Sequence, residues 1–430
     1  MNRFIYSFFF YLATPLILAR LCWRGLRASA YYSRWGERFA LGVQATPVDV
    51  VIHAVSVGEV HAAMPLINRL LAAQPPLRLL VTTMTPTGSA RVKELLGDRV
   101  SHVYLPYDYP GAMRRFLAAW QPRLLVIMET ELWPNLIHQC ARSGVSTMLA
   151  NARLSAQSSS GYYRFAGLAR DMLGKLDRVT AQSDQDSKRL QDLGLPGDRV
   201  SVAGNMKYDV PFDSRTWEQA LHDKAALGGR PVWIAASTRS ANGDAEETLV
   251  LEALRRLLGQ FPDLLLVLVP RHPERFDEVH DLVTRQGLRA VRRSGGDAVQ
   301  ATHQVLLGDT MGEMTWYYGL ADIAYVGGSL VPTGCQNIIE PAALGLPVVT
   351  GPSLYNFQAV SEQLQAAGGM SVVANTDALA MSVNTLLADA ALRRNMGEAA
   401  RSAVAANQGA TARNQAVISE LLVTARRSPE

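Results

Sequence analysis

The sequence predicts an α/β protein built from two doubly wound, parallel-sheet domains behind an apolar N-terminal segment. Three observations lead there. Short β-branched apolar runs alternate with stretches of helical periodicity from residue 48 to 207. A polar stretch at 208–231, with two prolines and a Gly pair, interrupts the alternation, which restarts at residue 232. At 430 residues the chain exceeds one small core.

The elements follow in order. Residues 4–19, FIYSFFFYLATPLILA, carry no charge. As one helix they would span roughly 24 Å, short of the ~30 Å hydrocarbon core. Arg3 precedes the run, and Arg20, Arg24, Arg27, Arg34 and Arg38 follow it. That asymmetry places the rest of the chain on the cytoplasmic side. A cleaved leader needs a small-residue site; Ala28-Ser29-Ala30 offers one, but three arginines separate it from the apolar run. The expectation is an uncleaved anchor over 1–27, spanning or lying in the interface. A first domain, 28–210, then has strands expected at 48–56, 77–85, 101–106, 124–130, 145–153, 177–183 and near 198–207, with a long helix near 162–176. A second domain, 211–430, has strands at 232–238, 263–271, 303–310, 321–329 and 346–351. From Thr376 the tail is expected to be helical, its last helix able to pack back on the first domain. Two such domains would face each other across a cleft.

Composition and missing motifs exclude several classes. The net charge is +4, with Arg and Lys scattered rather than striped among aromatics, so nucleic acid is not an expected partner. Cys22, Cys140 and Cys335 form no C-x-x-C pair, which argues for a reducing compartment. No His/Cys cluster has zinc spacing; His53 and His61 fall on different elements. No G-x-G-x-x-G follows the first strand and no Walker A pattern occurs, which speaks against a nicotinamide oxidoreductase or a P-loop NTPase.

Polar clusters sit where strands hand over to helices, the edge at which open α/β sheets bind ligands. In HAVSVGEV (53–60), Glu59 opens the first helix. A carboxylate there suits the helix dipole, and it equally suits a site at the strand end. METELWPN (128–135) brings Glu129 and Glu131, which share a face if extended. VAGNMKYD (202–209) puts Lys207 at the domain junction. LVPRHPERF (268–276) places Pro270 and Arg271 at a strand end, where a guanidinium fork matches phosphate or carboxylate. In LGDTMGEMTWYYGLAD (307–322), Gly312, Glu313 and Met314 open a helix with free N–H groups. In GGSLVPTGCQNIIEPAALGLPVV (327–349), a helix is expected from Asn337. Asn337 and Glu340 have capping-box spacing there, and a ribose-binding role for Glu340 is the other reading. The Asp184-x-Asp186 pair in SDQDSKRL has the spacing of a metal-diphosphate motif but reads as helix-start chemistry behind Ser183.

Together, in order and spacing over nearly the whole chain, these motifs resemble the transferases of 3-deoxy-D-manno-octulosonic acid (Kdo), membrane-associated GT-B glycosyltransferases of lipopolysaccharide inner-core synthesis. The resemblance implies two Rossmann-like domains, CMP-Kdo as donor and lipid IVA, a tetraacylated lipid A precursor, as acceptor. It implies an inner-membrane location on the cytoplasmic leaflet. A donor linked through a phosphomonoester has less need of a divalent metal than a diphosphate one and no metal motif stands in the sequence, so no metal and no cofactor are expected. Glu59 would be the general base, and Glu129 and Lys207 would support the transition state. Pro270, Arg271, Gly312, Glu313, Met314, Asn337, Ile338, Ile339 and Glu340 would hold the CMP part. Two stretches depart from the family pattern. Gly334-Cys335-Gln336-Asn337 stands where GGHN is usual, and Ser237-Thr238-Arg239 is separated from Glu246-Glu247 by extra residues.

Overall fold

Val50–His53 forms β1, a largely apolar strand buried on both faces and flanked on both sides in the interior of the first sheet. The computed structural model describes residues 2–42, 45–210 and 212–424. β2 (Leu79–Thr83), β3 (Ser101–Tyr104), β4 (Leu124–Met128), β5 (Ser146–Ala152), β6 (Arg178–Ala181) and β7 (Val200–Val202) complete a parallel sheet in the order β3-β2-β1-β4-β5-β6-β7. The order reverses between β1 and β4, whose registers align His53 with Ile127. Two apolar layers cover the sheet, one holding Val51, Leu125 and Leu149, the other Ile52, Val126 and Leu66. Helix Ala410–Thr424 belongs to this unit: Thr180 Oγ1 lies 2.6 Å from Asn414 Oδ1, and Asp209 accepts from the Gly409 N–H at 2.6 Å.

The second unit, Val210–Asn407, repeats the plan. Its strands are β8 (Val232–Thr238), the hairpin β9 (Ser240–Ala241) and β10 (Asp244–Ala245), β11 (Leu265–Pro270), β12 (Ala290–Arg292), β13 (Val305–Leu307), β14 (Ile323–Val326), β15 (Val348–Thr350) and β16 (Met370–Val372). The large sheet runs β12-β13-β11-β8-β14-β15-β16, reversing between β8 and β14. The residues separating Thr238 from Glu246 form the β9–β10 hairpin. Its turn, Asn242-Gly243, has φ of +55° and +91°, the left-handed pair a type I′ turn requires.

Four sequence expectations shift. The apolar run 4–19 is not one helix: Arg3–Leu12 and Thr14–Arg27 are bent by 53°. Pro15 sits in the first turn of the second helix, where its missing N–H is tolerated, so the helix restarts there rather than continuing. Among the described residues no single helix is long and apolar enough to cross a membrane. The helix expected near 162–176 is two, Ala156–Tyr163 and Ala166–Leu173. The tail is three helices, Thr376–Ala388, Ala390–Ala405 and Ala410–Thr424, with Asp389 capping the second through Ala391 N at 2.9 Å. The helix expected from Asn337 begins at Ile339.

Candidate functional site

β1 ends at His53 and helix Val57–Leu71 begins after Ser56, whose hydroxyl caps it. Glu59 is the third helical residue and reaches back. Its Oε2 accepts from the Val55 N–H at 2.9 Å and its Oε1 from the Ser56 hydroxyl at 3.1 Å. This is a capping box shifted one residue toward the strand. Glu59 is only 9% exposed. Burial pushes its carboxyl up to about 7, against the Val55 N–H; the charges of Glu129 and Glu131 push the same way. Desolvation therefore outweighs the helix-start dipole here.

Because β1 pairs with β4, the segment after β4 arrives beside Glu59. Its first residue, Glu129, is left-handed at φ +55°, a conformation costing a non-glycine residue about 1–3 kcal/mol. The turn replaces the extended run that would have put Glu129 and Glu131 on one face, yet both charges act on Glu59. Lys207 Nζ lies 3.2 Å from Glu129 Oε1. Lys207 itself sits in a short turn, Met206–Tyr208, tied down by Asn151 Oδ1 to the Met206 N–H at 3.0 Å. Asn151, at the end of β5, is also left-handed, at φ +53°. Glu131 accepts from Trp133 Nε1 at 3.1 Å, and the Trp133 ring meets His53 edge-on. Burial drives His53 down to about 3, so it stays neutral, its Nδ1 2.9 Å from Thr82 Oγ1.

In the second unit Pro270 ends β11, and the Arg271 N–H bonds Thr238 O at 2.9 Å. Asn337 does not cap through its backbone. Its Oδ1 accepts from the Ile339 N–H at 3.0 Å, and its Nδ2 donates to Glu340 Oε1 at 2.8 Å, so Glu340 is held by a side-chain amide. Burial raises the Glu340 pKa, against Asn337 and the Arg271 charge. Ile338 and Ile339 are buried and seat that turn. Gly312, at φ +84°, precedes Glu313 and helix Met314–Leu320. The Glu313 carboxylate is engaged by Arg293 at 3.0 Å and by Thr310, and Arg293 stacks on Trp316 at 3.9 Å. Pro270-Arg271, Gly312–Met314 and Asn337–Glu340 thus follow the C-terminal ends of β11, β13 and β14, with β8 lying between β11 and β14 in the sheet.

Two carboxylates organise those strand ends more than the sequence reading allowed. Glu246, fully buried, accepts from the N–H groups of Arg239 (3.0 Å), Gly328 (2.6 Å), Ser329 (3.1 Å) and Leu330 (3.0 Å), and from the Tyr325 hydroxyl (2.6 Å). It pins the Gly-rich loop after β14. Glu247 forks onto Arg275 at 2.8 and 2.9 Å and accepts from Thr238 Oγ1 at 2.6 Å. The hairpin insertion leaves both in place. The signal was an acidic pair directly ahead of the apolar-periodic run TLVLEALRRLL. Asp186 behaves as its helix-start position implied, accepting from the Leu154 N–H at 2.8 Å behind the Ser183 cap. Among the described residues no group of three or more His, Cys, Asp or Glu side chains is placed to hold a metal.

Two parallel-sheet units, each with polar groups at its strand ends, define the fold of the GT-B glycosyltransferases. A glycosyltransferase from Rickettsia africae shares it, with a TM-score of 0.54 and 15% identity over 88% of this chain and 99% of that one. A family model described as 3-Deoxy-D-manno-octulosonic-acid transferase (kdotransferase) matches residues 33–210. The 3-deoxy-D-manno-octulosonic acid transferase of Haemophilus influenzae is 40% identical over 422 residues, covering 96% of this chain and 97% of that one. The transferase of the same name from Bordetella pertussis is 38% identical over 427 residues, covering 96% and 98%. The chain belongs to the Kdo transferase family and is a glycosyltransferase.

Proposed function

We propose that this Kdo transferase moves Kdo from CMP-Kdo to lipid IVA, with inversion, using Glu59 as general base and no metal. The observation that carries the reading is Glu59 itself: a buried carboxylate in a two-donor cradle, raised to about 7. A base works best when its pKa lies near the working pH, and it contributes typically 10²–10⁴-fold. In the reaction a sugar hydroxyl oxygen of the acceptor attacks the anomeric carbon of Kdo. Glu59 takes the hydroxyl proton as the new C–O bond forms. The bond from the anomeric carbon to the phosphate oxygen breaks on the opposite face, and its electron pair leaves with CMP. Lys207, held beside Glu129, or Arg271 offsets the charge that grows on the phosphate. A phosphomonoester leaving group has less need of a divalent ion than a diphosphate.

The domain roles follow the same reading. Residues 28–210 take the acceptor. Residues 211–430 take the donor, with Pro270, Arg271, the backbone of Gly312–Met314, and Asn337 to Glu340 around the nucleotide. Residues 1–27 dock on the cytoplasmic leaflet of the inner membrane. Phe4, Phe8, Phe9, Leu12, Leu16 and Leu26 are exposed along the two bent helices, and Arg20, Arg24 and Arg27 lie beside them. That is the composition of an interfacial helix pair, with about 1 kcal/mol of attraction to anionic lipid per basic residue.

The test is to incubate the purified chain with lipid IVA and CMP-Kdo, weigh the lipid product, and run Glu59→Gln beside it. Added Kdo mass with wild type alone is the expected result. CMP-Kdo left intact by wild type, with turnover of a UDP-sugar instead, would overturn the donor assignment.

A further inference from the structure

Helix Arg3–Leu12 has two faces that do different things. The outward face shows Phe4, Ile5, Phe8, Phe9 and Leu12. The inward face presents polar groups at helical spacing, Arg3, Tyr6 and Ser7, and these converge on one residue pair. Asn135 Oδ1 accepts from the Ser7 hydroxyl at 3.0 Å and from Arg3 Nη1 at 3.2 Å. Asn135 Nδ2 donates to Asp108 O at 2.7 Å. The Asp108 carboxylate, fully buried, accepts from the Asn135 N–H at 2.9 Å, the Leu136 N–H at 2.8 Å and the Tyr6 hydroxyl. Farther along, Thr14 Oγ1 meets Tyr109 Oη at 2.8 Å and Phe10 packs edge-on against the Tyr109 ring.

Asn135 is not an arbitrary attachment point. It is the second residue of helix Pro134–Arg142, and the turn that supplies Glu129, Glu131 and Trp133 runs directly into it. At its other end that turn is fixed by the Glu129 N–H to Ala150 O at 2.9 Å. Between those two ends, Glu131 accepts from Trp133 Nε1 and Glu129 pairs with Lys207. A mere hydrophobic anchor would need no buried polar zipper. Apolar packing would hold it, and each buried polar group left unmatched costs about 1–3 kcal/mol.

We propose that Asn135, held by Ser7 and Arg3 of the first helix and by Asp108, is a positioning residue that makes the membrane-facing helix a structural support of the Glu129–Trp133 turn. Seating the helix then sets the geometry of the carboxylates beside Glu59, so the helix serves turnover as well as attachment. This rests on the membrane-docking reading only for what the outer face contacts; the link to the turn is independent of it.

The experiment measures steady-state transfer on detergent-dispersed lipid IVA, together with retention on anionic phosphatidylglycerol vesicles, for Ser7→Ala, Ser7→Thr and Asn135→Ala in the full chain. The expected result is a fall in kcat of about tenfold for Ser7→Ala and Asn135→Ala, with KM and vesicle retention within about twofold of wild type. Ser7→Thr, which keeps the hydroxyl, restores kcat. Asn135→Ala is the variant at risk of misfolding, and Ser7→Ala decides the matter without it. A Ser7→Ala kcat within about twofold of wild type overturns the proposal, as does a kcat loss that Ser7→Thr fails to restore. Phe8→Ser with Phe9→Ser is measured for vesicle retention alone. Unchanged retention there would sink the docking reading and leave the positioning role to the Ser7 result.

Discussion

Replacing Glu59 with Gln should separate stability from catalysis, because the same burial that tunes the carboxyl also strains the fold. The folded carboxyl sits at about 7 against an ordinary 4.5. A folded pKa above the unfolded one means that the folded chain binds the proton more tightly. The contribution to stability is therefore complete below about pH 4.5 and is lost as pH rises through 7. The interval corresponds to about 3 kcal/mol, at about 1.4 kcal/mol for each pH unit. The Gln side chain does not titrate. Its one carbonyl oxygen can serve the Val55 N–H or the Ser56 hydroxyl but not both, which costs about 1 kcal/mol at every pH. At pH 5 the two proteins should therefore be within a few tenths of a kcal/mol of each other, roughly 0.2 kcal/mol in favour of wild type; at pH 8 the variant should be more stable by about 2 kcal/mol. For a unit of this size each kcal/mol moves the midpoint by about 2–4 °C. Thermal unfolding of both proteins from pH 5 to 8 reads the difference directly. Other titrating groups, including Asp108 at about 7, are common to both chains and cancel. A midpoint difference that stays constant across this range would refute the account of Glu59 as a buried, raised carboxyl. Product formation by the variant should be absent throughout.

Three further outcomes follow from the same geometry. With Glu59 as base, kcat/KM should rise about tenfold from pH 6 to pH 8. Glu131→Gln removes one like charge from its surroundings and should move that rise to lower pH, whereas an unmoved or upward-shifted profile contradicts the field described here. Glu246→Gln turns an acceptor of five hydrogen bonds into a group that must present an NH₂ to N–H donors; denaturant unfolding should show a loss of about 3 kcal/mol, and donor KM should rise as the Gly328–Leu330 loop loosens. Treatment with EDTA should leave kcat within about twofold, and activity lost to EDTA and restored by Mg²⁺ would refute the metal-free reading.

Why some of this was legible in the sequence and some was not comes down to what each signal depends on. The β-α alternation is local, so strands such as 232–238 emerge from their own residues. β12 and β16 do not: Ala290–Arg292 is short and flanked by arginines, and Met370–Val372 is partly solvated, so neither shows a buried run. Pro15 stood in plain view inside the apolar run. Composition weighs a window's apolarity, not the geometry of its hydrogen-bond ladder, and so it does not reveal the break between the two N-terminal helices. Asn242-Gly243 is likewise a readable hairpin signal, but its flanking strands are only two residues each and carry no alternation of their own. Glu246 shows the next level. Its acidic pair marks a helix start, but that its partners are the N–H groups of a loop some eighty residues away follows only from β8 lying beside β14.

Glu59 marks the limit of residue-level reading. Its two candidate roles, helix-start acid and strand-end base, predict the same residue at the same place, and their physical difference lies in the sign of the pKa shift. That sign depends on burial and on the two acids delivered by β4, about seventy residues later in the chain. Alternating β-α units announce a parallel sheet without revealing the strand order, and it is the order β1-β4 that brings SVGE and ETELW together. The family resemblance implied that meeting. The sheet order supplies its cause, and the Ser56–Val55 cradle shows that the cap and the proposed base are one arrangement: the hydrogen bonds that start the helix also hold the carboxylate still while burial raises its basicity.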